Sequence, residues 1–257
     1  MSLIDLRESL WLLMLIPLGI ILGAAVLFVI SASRWVRESK LRNQLGQFDL
    51  TTTRNVPPPK PKHFLIERPS LWLAIRCSDP QKVQAALGLH DPVYCSWEEG
   101  LIESRDHKLF ISPPIAGWIL VMGVDLPEPG DDVDDCFHFL TDLSRKVGHL
   151  HYFCANRALN QHAWAIIDRG QVFRAYAWAG QTLWNQGPIT AAERELGLAC
   201  FDYTMRVDFA QREVVSANTE KVNALSGRWS IDPAAVAETT WVKGQGIVGS
   251  FSPPKLH

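Results

Sequence analysis

Residues 10–30 read LWLLMLIPLGIILGAAVLFVI, and this stretch decides how the chain is organised. Its 21 residues include no charged, hydroxyl or amide side chain. At about 1.5 Å per residue a helix of this length reaches roughly 31 Å, and the hydrocarbon core of a bilayer is about 30 Å thick. We therefore predict a transmembrane anchor over residues 1–33, with the span running from Leu10 to Ile30.

A cleavable signal peptide is the main alternative to an anchor. Such peptides have a basic start and an apolar region of about 7–15 residues. Here the apolar run is longer, and the start carries Asp5 and Glu8 beside Arg7. The anchor is therefore the favoured interpretation, while the small residues SAS at 31–33 leave cleavage open as a second outcome.

Positively charged residues follow the span in the sequence and predict the direction in which it crosses the membrane. Residues 31–63 contain seven Lys or Arg against Glu38 and Asp49. Because Lys and Arg accumulate on the cytoplasmic side of membranes, we predict a single-pass inner (plasma) membrane protein whose C-terminal domain is cytoplasmic. The five cysteines are scattered and odd in number, which agrees with reduced thiols rather than a disulfide framework. A periplasmic or extracellular domain is the alternative orientation.

Two glycines inside the span, Gly19 and Gly23, lie four residues apart. This spacing lets two membrane helices pack closely, so a weak homodimer through Gly19 and Gly23 is one alternative. Glycine is also common in membrane helices that do not associate. The membrane itself is the partner that the sequence predicts most directly.

Residues 34–66 form a basic connection between the span and the rest of the chain. The pattern is compatible with a juxtamembrane helix to about residue 50, with Trp35 at the level of the lipid headgroups. The stretch VPPPKPK at 56–62 predicts an extended spacer, because successive prolines favour the polyproline conformation.

Charge separates the two ends of the protein. Residues 1–63 carry eight Lys or Arg and four Asp or Glu, a net of +4, whereas the whole chain is −2. Residues 64–257 therefore sum to −6. Nucleic-acid binding needs a basic footprint, so this acidic part argues against a nucleic-acid partner.

Residues 67–257 are long enough to form one soluble domain with its own core. The pattern predicts, in order, a strand at 71–77, a helix after Asp79-Pro80, a short helix from Ser96, strands at 108–111 and 117–122, a helix at 131–147 and a strand at 149–154. Apart from the short helix, this is the βαββαβ order of the ferredoxin-like arrangement, in which two helices cover one face of an antiparallel sheet. The predicted fold class is α+β, with a β-meander and C-terminal helices added.

The meander at 162–186 holds the candidate binding residues. If its first turn has two residues, one face of the hairpin presents Arg174, Tyr176 and Trp178 over a floor of alanines. Arg, Tyr and Trp dominate binding hot spots, so we predict a protein-binding surface here. Its four residues are Arg174, Tyr176, Trp178 and, on the following strand, Trp184. The alternative is that a helix after Thr190 covers this face, and a turn one residue longer would exchange the two faces.

No catalytic or cofactor motif stands out in the sequence. His149 and His151 fall on the same side of a predicted strand, as in some zinc sites, but need a third ligand such as His162. The run GQGIVG at 244–249 spells the dinucleotide fingerprint, but too little chain follows it for the helix and strand that the motif requires. The acids at 131–135 favour the start of a helix over a cation site. We therefore expect no metal and no cofactor.

The leading hypothesis is a membrane-anchored, non-enzymatic protein-interaction module. A scaffold, an envelope or secretion component and a membrane-tethered inhibitor all fit this description. The anchor, the acidic domain, the lack of a catalytic signature and the aromatic strand favour it. The alternative is a small-ligand sensor or an enzyme of unrecognised type, with a pocket between the 162–186 meander and residues 112–114.

Overall fold

The computed structural model describes residues 69–205, 211–236 and 244–252, which belong to the unit His63–His257. The predicted anchor, the basic connection and the glycine pair Gly19 and Gly23 lie outside the described residues. Within the described ranges, no helix combines the length and the apolar character that a membrane span requires.

An antiparallel sheet of nine strands organises the described residues. In chain order the strands are β1 (Leu71–Ile75), β2 (His90–Cys95), β3 (Lys108–Ile111), β4 (Ile119–Met122), β5 (His149–Asn156), β6 (Gln161–Asp168), β7 (Gln171–Trp178), β8 (Thr182–Gln186) and β9 (Gly246–Ser250). Across the sheet the order is β2-β9-β3-β4-β1-β5-β6-β7-β8. The predicted α+β class is confirmed.

Five α-helices in the described residues cover this sheet. They are α1 (Pro80–Leu87), α2 (Trp97–Glu103), α3 (Val133–Val147), α4 (Ala191–Glu195) and α5 (Arg212–Trp229). A short 3-10 turn at Pro233–Ala235 follows α5. The sequence pattern predicts this last α-helix only around 219–225, whereas α5 is longer, because its polar positions hide the helical period over most of its length.

Strand β1 shows why the sheet needs cover on both faces. All five of its side chains are buried. Leu71, Leu73 and Ile75 join the core formed with α1 and α3, whereas Trp72 and Ala74 join the core formed with α2 and α5. Successive side chains of a strand point to opposite faces, so a strand that is apolar throughout requires a layer on each side. Helices therefore lie on both faces, whereas the βαββαβ order alone predicts them on one.

Capping side chains begin the three helices predicted after Asp79, from Ser96 and after Thr190. The Asp79 side chain caps α1 by accepting a hydrogen bond at 2.9 Å from the backbone N–H two residues further on. Ser96 and Glu99 form a reciprocal capping box at α2, and Thr190 and Glu193 form another at α4. Such caps satisfy N–H groups that have no partner within the helix. These three predicted starts are confirmed.

Strands β2 and β9 differ from the sequence prediction, which had no strand at either place. β9 lies between β2 and β3, where Val248 pairs with Val93 on one side and Phe110 on the other. A Cβ atom on Gly246 would lie 2.2 Å from Phe110 Cε2 and 2.7 Å from Ile111 O. Gly246 therefore allows close packing within the sheet, and the run from this residue onward forms β9 rather than a phosphate-binding loop.

Gly246→Ala is expected to lower the free energy of unfolding by about 1–3 kcal/mol, the usual cost of forcing an extra carbon into a packed core. Gly227→Ala is the matched control, because a Cβ there meets nothing closer than 3.4 Å and the residue lies inside α5. Alanine stabilises a helix interior by about 0.5–1 kcal/mol relative to glycine. Urea unfolding followed by tryptophan fluorescence measures both. A Gly246→Ala protein as stable as the wild type would contradict the packing of β9.

Candidate functional site

The four residues predicted to form a binding surface are buried. Arg174 is 1% exposed, Tyr176 0%, Trp178 4% and Trp184 8%. Tyr176 and Trp178 belong to the core beneath α5 and the loop before it, which matches the alternative in which helical structure after Thr190 covers this face. Trp184 belongs to the core on the opposite face. The predicted surface position is therefore corrected for all four, while a role in partner binding stays a prediction.

A β-bulge in β7 explains why Arg174 and Tyr176 lie on a different face of the hairpin from the one predicted. The predicted two-residue turn between β6 and β7 is present, but beyond it Ile166 pairs with Arg174 instead of Phe173. One residue of β7 is therefore extra, which is the definition of a bulge. Trp164 consequently pairs with Tyr176 rather than with an alanine. The shift brings Arg174 and Tyr176 onto the face that also carries Trp164, inside the core.

The guanidinium of Arg174 is the centre of a buried polar network. Its Nε donates to Glu193 Oε1 at 2.8 Å and to Oε2 at 3.1 Å, and the Glu193 side chain is fully buried. Trp164 Nε1 donates to the same Oε1 at 2.7 Å. Arg174 Nη1 donates to Asn185 Oδ1 at 2.9 Å, and Nη2 contacts Cys200 Sγ at 3.0 Å. A buried ion pair is tolerated when its polar atoms are satisfied in this way.

His162 is a second buried polar residue on this face. Its ring stacks on Trp164 with centroids 5.5 Å apart, and its Nδ1 lies 3.0 Å from Thr219 Oγ1 of α5. Burial lowers the pKa of His162 to about 3, so the imidazole is neutral at physiological pH. In the sheet, His162 pairs with Ala155 of β5. Ala155 lies six positions along this strand from His149, which corresponds to roughly 20 Å. The structure therefore does not bring it to His149 and His151 as a third zinc ligand.

Four buried or partly buried thiols are poor nucleophiles. Desolvation raises the pKa of Cys95 to about 11 and those of Cys136 and Cys200 to about 12. The pKa of Cys154 is raised well above its ordinary value by the same cause. Because the thiolate is the reactive form, these four cysteines are better explained as core residues than as catalytic ones.

A cleft of about 720 Å³ opens where β1 begins and where β4 and β5 end. It is lined by Pro69, Ser70, Leu71, Leu101, Ser104, Arg105, Met122, Gly123, Val124, Ala155, Asn156, Arg157 and Ala158. The buried side chains of Leu71, Met122 and Ala155 give it an apolar floor, and Arg105 and Arg157 stand on its rim. We call it the arginine cleft.

One exposed apolar side chain lines the arginine cleft, and two more are adjacent in the sequence to residues that line it. Val124, which lines it, is 56% exposed. Ile102 and Leu159, each next in the chain to a lining residue, are 56% and 63% exposed. Arg157 is held at the rim by α5, where its Nε donates to Glu220 Oε1 at 3.0 Å. Large apolar side chains exposed around a concave site are typical of binding surfaces.

A second cavity of about 350 Å³ lies beside the start of α3 and is strongly acidic. Its carboxylates belong to Asp125, Glu128, Asp131, Asp132, Asp135 and Asp142. Asp132 caps α3 by accepting a hydrogen bond at 2.9 Å from Asp134 N, which confirms the predicted role of acids at this helix start. Across the described ranges, no three His, Cys, Asp or Glu side chains are placed to hold a metal ion. We treat this cavity as an acidic surface.

His149 and His151 do lie together, as their spacing on β5 predicts. Their Nε2 atoms are 2.9 Å apart. Burial lowers the pKa of His151 to about 3 and also lowers the pKa of His149. Both rings are therefore neutral imidazoles near pH 7.

Comparison with family models, with curated proteins and with solved structures finds no match to this chain. The functional assignment therefore rests on the geometry of the site. The arginine cleft was missed at the sequence level because its lining comes from four separate segments, at 69–71, 101–105, 122–124 and 155–158. The one signal in the sequence was the presence of large apolar residues, Val124 and Leu159, between predicted elements.

Proposed function

We propose that this protein is a non-enzymatic interaction module, anchored in the inner membrane, that binds a segment of another protein in the arginine cleft. The cleft is the observation that carries the proposal, because it combines an open concave shape, an apolar floor and a basic rim. The closed network around Arg174 and the raised pKa values of the buried thiols favour binding over catalysis in the rest of the domain.

Charge indicates what kind of segment the cleft accepts. Residues 64–257 carry a net charge of −6, so most of the domain repels acidic partners. Arg105 and Arg157 interrupt this acidic surface at the rim of the cleft. We infer a segment that places apolar side chains on the floor and a carboxylate toward the rim.

The membrane anchor is part of the same proposal and is supported by the sequence alone. The span from Leu10 to Ile30 and the basic residues after it favour a cytoplasmic domain, with a periplasmic or extracellular domain as the alternative. A weak homodimer through Gly19 and Gly23 would place two clefts on one assembly.

A finer assignment of the fold also belongs here. We propose that β1, α1, β3, β4, α3 and β5 form a ferredoxin-like unit. The neighbouring order β3-β4-β1-β5 supports it, as do the antiparallel pairs that Leu73 makes with Val121 and Tyr152. In this description β2, α2 and β9 extend one edge of the unit, and β6–β8 extend the other.

A photo-cross-linking amino acid at Val124 is expected to give a discrete protein adduct when the full-length chain is activated in native membranes. The same amino acid at Phe173 is the matched control, because Phe173 is 54% exposed but does not line the cleft. We expect an adduct from position 124 several times stronger than that from position 173. Equal adducts at the two positions would contradict a role for the cleft.

Charge exchange at the rim tests the electrostatic part of the proposal. Arg157→Glu is expected to abolish the adduct at position 124, because a carboxylate at the rim repels an acidic segment. The double variant Arg157→Glu/Glu220→Arg restores the intramolecular ion pair with its charges exchanged. The fold is therefore kept, while position 157 at the rim still carries a negative charge. We expect no adduct from this variant either. An adduct that persists in both variants would overturn the role of Arg157.

A small ligand is the second candidate for the cleft. Its volume lies within the range of about 300–1,000 Å³ that small-molecule sites occupy. The sequence placed such a pocket beside residues 112–114 and the 162–186 meander, and none of these residues lines the arginine cleft. A small occupant would appear as a defined mass increase of the intact protein in native mass spectrometry, without a protein adduct at position 124.

A further inference from the structure

Binding of a protein segment in the arginine cleft does not explain why two histidines lie in contact on β5. His149 and His151 point to one face of the strand, and their Nε2 atoms approach to 2.9 Å. The ring of Trp118 lies 4.8 Å from that of His151, and Trp229 of α5 lies 5.8 Å from it, centroid to centroid. The pair is therefore held in place by aromatic packing.

Hydrogen bonding alone accounts poorly for this pair. Two neutral imidazoles at 2.9 Å share one N–H, which leaves the other ring nitrogens to find partners elsewhere. His151 is 3% exposed, and its Nδ1 has no hydrogen-bond partner among the described residues. His149 Nδ1 faces Asp168 Oδ1 at 3.9 Å, which is beyond hydrogen-bond distance. Neither Nδ1 atom takes part in the contact between the two Nε2 atoms, so that contact is the observation that points to a ligand.

We propose that His149 and His151 chelate a divalent first-row transition-metal ion through their two Nε2 atoms, with Cu²⁺ preferred. Two nitrogens 2.9 Å apart, each about 2.05 Å from one metal, subtend about 90° at it. That angle belongs to tetragonal sites, which Cu²⁺ and Ni²⁺ favour, whereas a tetrahedral zinc site needs nitrogens about 3.3 Å apart. Copper also binds most tightly among the divalent ions of this series.

Water completes the coordination sphere in this proposal. No third His, Cys, Asp or Glu joins the pair within residues 69–205, 211–236 and 244–252. The His149 side chain is 32% exposed, which gives solvent and the ion a route to the pair. On binding, the histidine that carried its proton on Nε2 moves it to Nδ1, so both Nε2 lone pairs are available and no proton is released.

Asp168 is the positioning residue of this site. A histidine bound to metal through Nε2 carries a proton on Nδ1, and a carboxylate facing that proton fixes the ring and raises its basicity. Asp168 pairs with His149 across β5 and β6, and at 3.9 Å from Nδ1 its carboxylate acts on the ring through its charge, which raises the pKa of His149 against the larger effect of burial. Arg76 is the other charged group acting on His149, and its charge offsets that of Asp168.

Copper titration of the full-length protein, purified in detergent with a tag that contains no histidine, tests the proposal. We expect one equivalent of Cu²⁺ with an electron paramagnetic resonance spectrum that shows nitrogen coupling from two imidazoles. His149→Ala is expected to remove this signal, and Asp168→Asn to weaken the affinity by about tenfold. Copper should also raise the unfolding temperature of the wild type but not of His149→Ala, because only a ligand bound to the folded state stabilises it.

His107→Ala is the matched control for these variants. His107 also has a carboxylate neighbour, with its Nδ1 2.9 Å from Asp125 Oδ1, but among the described residues it makes no contact with a second histidine. We expect this variant to bind copper as the wild type does. A wild type that binds no stoichiometric copper, or a His149→Ala protein that binds it unchanged, would overturn the site. Neither result depends on the arginine cleft.

Discussion

Glu193→Ala is expected to lower the free energy of unfolding by about 3–5 kcal/mol, because it leaves the guanidinium of Arg174 buried without its carboxylate. The two side chains are 0% and 1% exposed, so solvent does not compensate for the lost partner. The change also removes the acceptor of Trp164 Nε1 and the side chain that closes the capping box of α4. Urea unfolding of the full-length protein in detergent, followed by tryptophan fluorescence, measures the loss.

Glu195→Ala provides the matched control two residues away. Glu195 pairs with Arg228, but both side chains are more than half exposed, at 59% and 53%. Exposed pairs contribute about 0–1 kcal/mol, so this variant should be nearly as stable as the wild type. The double variant Arg174→Met/Glu193→Leu should recover part of the loss, since apolar residues often replace a buried ion pair without cost. Equal stabilities of Glu193→Ala and Glu195→Ala would contradict the buried network.

Acid is expected to destabilise the protein through His162, whose pKa burial lowers from 6.5 to about 3. Between these two pH values the unfolded chain binds a proton that the folded chain does not, so stability falls as the pH falls. The stability that depends on a neutral His162 is fully present above pH 6.5 and is lost progressively as the pH falls toward 3. The slope is about 1.4 kcal/mol per pH unit at most, which is about 2–3 kcal/mol between pH 6.5 and 4.5.

His162→Gln isolates this contribution. The variant is expected to be less stable than the wild type at pH 7, since it loses the stacking on Trp164. Between pH 6.5 and 4.5 it should lose about 2–3 kcal/mol less than the wild type, because glutamine does not titrate. Urea midpoints at the two pH values give the difference, to which the carboxylates contribute equally in both proteins. A pH dependence of stability that is unchanged by His162→Gln would contradict the assignment.

Much of the fold follows from local patterns in the sequence. The caps at Asp79, Ser96 and Thr190 mark helix starts because each satisfies orphan N–H groups within three residues. The β6–β7 hairpin follows from a two-residue turn at Arg169-Gly170, and both residues have positive φ, as that turn requires. Such features are encoded by residues close together in the chain, so a single sequence is enough to find them.

The candidate sites depend on contacts that no local pattern encodes. One bulged residue, Phe173, decides which face Arg174 and the aromatics occupy, and alternation of apolar residues alone does not reveal it. The arginine cleft combines four distant segments, which only the tertiary structure brings together. The histidine pair was visible as a spacing, whereas the 2.9 Å approach of its nitrogens was not.

The insertion of β9 between β2 and β3 has a consequence for how the chain reaches its native state during translation. β9 begins about 150 residues after the end of β2, and the two strands pair directly. Because β9 also separates β2 from β3, this edge of the sheet stays open until nearly the whole domain has left the ribosome. Closing so long a loop is entropically costly and slow. A nascent chain stalled before Gly246 thus exposes two unpaired strand edges, and it should depend on chaperones to avoid aggregation in a way that the finished protein does not.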